Sequence, residues 1–66
     1  MLSPGDLVEV KPGSTYNTVW ASSEGNRGFT RYREIGIVLK TKHNCWYEVR
    51  TETVTGWFSD ENVEKL

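Results

Sequence analysis

Two runs of β-prone residues, Gly36-Ile37-Val38-Leu39-Lys40-Thr41 and Cys45-Trp46-Tyr47-Glu48-Val49-Arg50, flank the polar break Lys42-His43-Asn44. β-branched and aromatic residues on either side of a short polar turn predict a hairpin. In the second run Cys45, Tyr47 and Val49 share one face and Trp46, Glu48 and Arg50 the other, because side chains alternate along a strand. The first run is nearly continuous in apolar residues, which predicts a strand covered on much of both faces, with Ile37 and Leu39 in the core. Gly36 inside it predicts a bulge or a close backbone approach, such as an aromatic ring stacked above it.

The remaining elements arrange themselves around this hairpin. Ser3-Pro4-Gly5-Asp6 is a turn sequence that leads into Leu7-Val8-Glu9-Val10-Lys11, where alternation points Val8 and Val10 inward. Pro12-Gly13 ends that strand. After Thr51-Glu52-Thr53 the chain forms a short strand through Val54-Thr55-Gly56-Trp57-Phe58. Ser59-Asp60-Glu61-Asn62 reads as one helical turn, with the Ser59 hydroxyl accepting from orphan N–H groups and the acids at its positive end. The expected strands cover residues 6–11, 35–41, 45–51, 54–58 and 63–66, around a core of Val8, Val10, Ile37, Leu39, Tyr47, Val49, Phe58 and Val63.

Residues 12–34 do not fit a plain loop, since structureless loops of such length are uncommon in small domains. Tyr16-Asn17-Thr18-Val19-Trp20 and Phe29-Thr30-Arg31-Tyr32-Arg33 stand on either side of the small, polar stretch from Ala21 to Gly28. This pattern predicts an irregular excursion hairpin bent over one end of the sheet.

Sixty-six residues allow one domain spanning 1–66, and three Trp, three Tyr and two Phe must supply much of its buried area. The single cysteine excludes an internal disulfide, and no early apolar run reads as a signal peptide or membrane span. The expectation is a cytoplasmic protein. Net charge is −1, but unevenly spread. Residues 27–50 carry Arg27, Arg31, Arg33, Lys40, Lys42 and Arg50 against Glu34 and Glu48, whereas acids dominate both flanks.

Five short strands, a long first excursion, a tight central hairpin and a one-turn helix before the last strand resemble an SH3-like small β-barrel. Gly5-Asp6-Leu7-Val8-Glu9-Val10 is similar to the opening strand of bacterial and phage-encoded members and of KOW-type barrels. Gly56-Trp57-Phe58-Ser59-Asp60-Glu61-Asn62-Val63 resembles the ending of signalling SH3 domains. The resemblance covers most of the chain outside 12–34. It departs from signalling SH3 domains in lacking an Ala-Leu-Tyr-Asp-Tyr opening and in placing Asn62 where the family has the Tyr that walls a proline groove. It implies a non-enzymatic interaction module, such as an adaptor, a viral accessory protein or a virion component. For a phage-encoded member the location would be the host cytoplasm or the virion.

The candidate chemistry agrees with a binding role. His43 and Cys45 lack a third orienting group for nucleophilic catalysis and fall short of the four ligands of structural zinc, so neither catalytic residues, metal nor cofactor is expected. Cys45 is expected to be a small, partly buried side chain. A barrel this small cannot enclose eight aromatic rings, which leaves several for a surface. Trp20, Trp46, Trp57, Tyr16 and Tyr32, with Arg31 and Arg50, are the expected contacts for a protein partner or a second copy. The competing arrangement buries Trp46 or Trp57 beneath the excursion. The alternative function is nucleic-acid binding, with Arg27, Arg31, Arg33, Lys40 and Lys42 pairing phosphates and the interleaved aromatics stacking on bases. The sequence pI of about 5.7 weighs against it.

Overall fold

All regular structure among the described residues, 1–20 and 23–66 of this computed structural model, is β-strand or 3-10 turn. The strands are β1 (Leu7–Val10), β2 (Thr15–Asn17), β3 (Arg27–Phe29), β4 (Glu34–Lys42), β5 (Trp46–Thr51), β6 (Thr55–Ser59) and β7 (Val63–Lys65). A 3-10 turn at Asp60–Asn62 precedes β7. The strands pair antiparallel in one seven-stranded sheet of order β3-β2-β6-β5-β4-β1-β7. Five of them match the sequence expectation to within a residue at either end. The other two are the arms of the excursion, so the sheet has seven strands where five were expected. No helix among the described residues is long and apolar enough to cross a membrane.

The core consists of Leu2, Val8, Val10, Val38, Tyr47, Val49, Phe58 and Val63. Ile37 and Leu39 do not belong to it: Ile37 is 36% exposed and Leu39 39%, while Val38 between them is 1% exposed. The register explains the correction. Val8 stands opposite Gly36 and Val38 opposite Val49, which fixes the even-numbered positions of this part of β4 on the inner face. Lys40 then stands opposite Glu48 and Thr41 opposite Tyr47, so a bulge places both Leu39 and Lys40 outward against a single partner residue. The bulge therefore sits three residues beyond Gly36.

Gly36 serves the other expected purpose, close approach, although its neighbours are not an aromatic ring. A Cβ there would lie 2.6 Å from the Arg50 carbonyl oxygen and 2.7 Å from a Val49 methyl. At the β4–β5 turn His43 and Asn44 both have positive φ, 52° and 58°, as a type I′ turn requires, and the Cys45 N–H donates to the Lys42 carbonyl at 3.1 Å. Cys45 is exposed on this turn, not partly buried.

Two small hydroxyl residues anchor the excursion to the end of β1. The Ser14 and Thr30 hydroxyls donate to the Lys11 carbonyl at 2.6 and 2.7 Å, and the Ser14 N–H donates to Thr30 Oγ1 at 3.0 Å. Ser14 and Thr30 are buried, and these bonds satisfy them. At the other end of the chain Ser59 does not cap the 3-10 turn with its side chain. Its hydroxyl instead donates to Glu61 Oε1 and accepts from Asn62 Nδ2, both at 3.4 Å.

Candidate functional site

The excursion brings its aromatic residues back onto the sheet. β2 pairs with β6 through Asn17 opposite Trp57, and on β6's other side Trp57 stands opposite Glu48. Trp57 thus has the outward parity of Glu48 and Trp46, and Trp46 is its diagonal neighbour across the β5–β6 pair, within reach for aromatic rings. Trp57 is nevertheless only 7% exposed. Trp20, carried past the end of β2, covers it: the two ring centroids are 5.0 Å apart with the planes inclined at 59°.

Trp20 also meets Trp46, edge to face, at 5.8 Å, and the His43 ring at 6.1 Å. Lys42 Nζ lies 6.0 Å from a Trp20 ring centroid, at the outer range of a cation–π contact. Trp46 remains 37% exposed. Beside this cluster runs a groove of about 560 Å³ whose walls include Tyr16, Asn17, Val19, Trp20, Arg27, Trp46 and Trp57.

Tyr16 is the hinge between groove and core. Its ring lies 5.5 Å from that of Phe58, and it passes so close over Gly28 that a Cβ there would meet the phenol oxygen at 2.7 Å. Of the sequence-predicted contacts, Trp20, Trp46, Trp57 and Tyr16 therefore come together. Tyr32, Arg31 and Arg50 do not join them. Tyr32 is 76% exposed and shares with Phe29 and Arg31 a second recess that meets the groove only at Tyr16, while Arg50 stands between Ile37 and Thr55 in the sheet and is not among the groove's lining residues. The expected burial of a tryptophan under the excursion applies to Trp57, and the surface role is left to Trp46 and the open side of Trp20.

Comparison with protein-family models, curated proteins and solved structures finds no match to this chain. The site is thus read from its own chemistry. Among the described residues no three His, Cys, Asp or Glu side chains group as a metal site would require.

Its electrostatics divide the molecule. Recorded ion pairs join Lys11 to Glu64 at 3.3 Å, Arg33 to Glu9 at 3.1 Å and Lys65 to Asp6 at 3.9 Å, all near β1 and β7. None among the described residues involves Arg27, Arg31, Lys40, Lys42 or Arg50. The five cations of the nucleic-acid alternative have different surroundings: Arg33 is paired with Glu9 on β1, Arg27 lines the groove, Arg31 the recess beside Tyr32, Lys42 borders Trp20 and Lys40 stands opposite Glu48. Arg27 and Val19 as groove walls, and His43 as a neighbour of Trp20, were not legible as protein-binding residues, because only the fold of the excursion brings them there.

Proposed function

We propose that the chain is a non-enzymatic protein-interaction module of SH3-like architecture that holds a partner protein, or another copy of itself, at the tryptophan groove. The observation that carries this reading is the junction of Trp20, Trp46 and Trp57, contributed by three different elements, beside an open groove. A partly exposed aromatic residue set among well-packed rings is the usual make-up of an interface hot spot. The SH3-like part of the reading is supported by the order of elements: a first strand, a long excursion, three strands joined by short turns, and a 3-10 turn before the last strand. An adaptor, a viral accessory protein or a virion component would each use such a surface.

The test is capture from a native lysate of the source organism on immobilised wild-type chain and on Trp46→Ala, followed by mass spectrometry. The reading expects proteins retained by the wild type and lost from the variant. Identical retention on both would contradict it.

Nucleic-acid binding is the second reading, favoured by Arg27 and Lys42 beside aromatic rings, neither of which is in an ion pair among the described residues. It requires affinity for single-stranded DNA or RNA that falls steeply between about 50 and 200 mM salt through counterion release. Our reading expects no association tighter than about 100 μM at physiological salt.

A further inference from the structure

We infer that the groove selects an acidic peptide segment, one that seats an apolar side chain against Trp20 and Trp46 and directs carboxylates toward Arg27 and Lys42. This rests on the groove being a protein-binding site, and it adds the chemistry of the partner. Arg27 forms part of the groove wall and Lys42 lies over Trp20, so cations stand at two points around the aromatic cluster. Neither is engaged in a recorded ion pair among the described residues, in contrast to Lys11, Arg33 and Lys65. No carboxylate is among the described residues that line the groove.

The acids on adjacent elements are not among the described residues that line the groove. Glu48 shares the outward face of Trp46 and Trp57 and stands between Lys40 on β4 and Trp57 on β6, Glu24 is exposed on the excursion three residues before Arg27, and Asp60 and Glu61 line a separate notch that shares only Trp46 with the groove. A basic segment would bring like charge against Arg27 and Lys42 with no compensating acid in the groove, an arrangement that disfavours wrong partners and steers those of opposite charge.

The ring geometry separates a peptide from a nucleic acid. Base stacking needs open aromatic faces. Here Trp57 is buried and Trp20 is hemmed by Trp57, Trp46, His43 and Lys42, with inclined contacts throughout. What is left open is the half-exposed Trp46 beside the groove, which suits an inserted aliphatic or aromatic side chain more than a row of stacked bases.

The experiment pans a library of random peptides on the full chain at physiological salt, with Trp46→Ala and the double variant Arg27→Glu/Lys42→Glu in parallel. Both cations are exposed, and Arg27→Gln/Lys42→Gln provides a milder variant if the reversal perturbs folding by circular dichroism. The expected result is enrichment of net-acidic peptides that need Trp46, with affinity falling about tenfold or more on charge reversal. Trp46-dependent peptides that are neutral or basic, and indifferent to the reversal, would overturn the charge selection while leaving the groove a peptide site. No enrichment, or enrichment unchanged by Trp46→Ala, would overturn the protein-binding reading itself. Displacement of an enriched acidic peptide by single-stranded oligothymidine at micromolar concentration would overturn the inference in favour of nucleic acid.

Discussion

Trp20 closes over Trp57 with their centroids 5.0 Å apart, joining a ring from the excursion to a ring from the central sheet. Trp57 has the parity of a surface residue, yet this contact makes it a small second core on the outer side of β6. Trp57→Ala should therefore destabilise the chain by ~3–5 kcal/mol, the range for truncating a buried Trp, as read by chemical denaturation. A loss under about 1 kcal/mol would mean that the excursion does not rest on Trp57 in solution.

The register of β4 gives a direct comparison of neighbours. Val38→Ala removes methyl groups facing Val49 and should cost ~1–4 kcal/mol. Ile37→Ala acts on the opposite face and should cost distinctly less. Equal losses in denaturant melts would contradict the bulge at Leu39 and the inward position of Val38.

Thr30→Val tests the anchor of the excursion. It deletes the donor to the Lys11 carbonyl and the acceptor of the Ser14 N–H, leaving a buried backbone donor without that partner. A loss of ~1–3 kcal/mol is expected. Because the anchor holds the strand arms that carry Trp20 to Trp57, the variant should also red-shift tryptophan emission in the folded state. A destabilised variant with unaltered emission would uncouple the anchor from the site.

Tyr47 makes stability depend on alkaline pH. Burial pushes its phenol above the ordinary tyrosine value, the side chain of Asp60 adds to this, and the Leu2 backbone works against it. The folded state thus holds the phenol proton to higher pH than the unfolded state does. The stabilisation is complete below the unfolded pKa of about 10 and declines as pH rises through the folded value. Urea midpoints for the wild type should fall above about pH 10 more steeply than those of Tyr47→Phe, which has no such group. Parallel curves would show that Tyr47 does not contribute the alkaline loss.

Much of the β architecture was legible because strand parity and turn chemistry are local. Val8, Val10, Tyr47 and Val49 could be assigned inward from alternation, Phe58 and Val63 were expected in the core beside them, and all six are buried. Ile37 and Leu39 could not be, because β4 is apolar at successive positions and a bulge interrupts its pairing. The candidate site was legible in part for a related reason. Trp46 follows from the alternation of β5, whereas the burial of Trp57 depends on Trp20 arriving from 37 residues earlier in the chain. The Ser14–Thr30 anchor left no signal, since two small polar residues in a loop read as solvated until the fold buries them. Arg50 shares the outward parity of Trp46 but stands four residues further along β5, opposite Ile37 and Thr55, and Arg31 and Tyr32 line a second recess that meets the groove only at Tyr16, which alternation does not reveal.

The measurement that tests the central claim most directly is a paired titration and thermal melt of the wild type and Trp46→Ala, using a partner captured by the wild type as ligand. Trp46 is 37% exposed and lies at the margin of the cluster, so its removal should leave the melting transition cooperative and little shifted. Affinity should fall by ~2 kcal/mol or more, the mark of a residue that contributes to an interface more than to folding. Unchanged affinity, or a variant that no longer folds, would contradict the assignment of Trp46 as the centre of a binding surface.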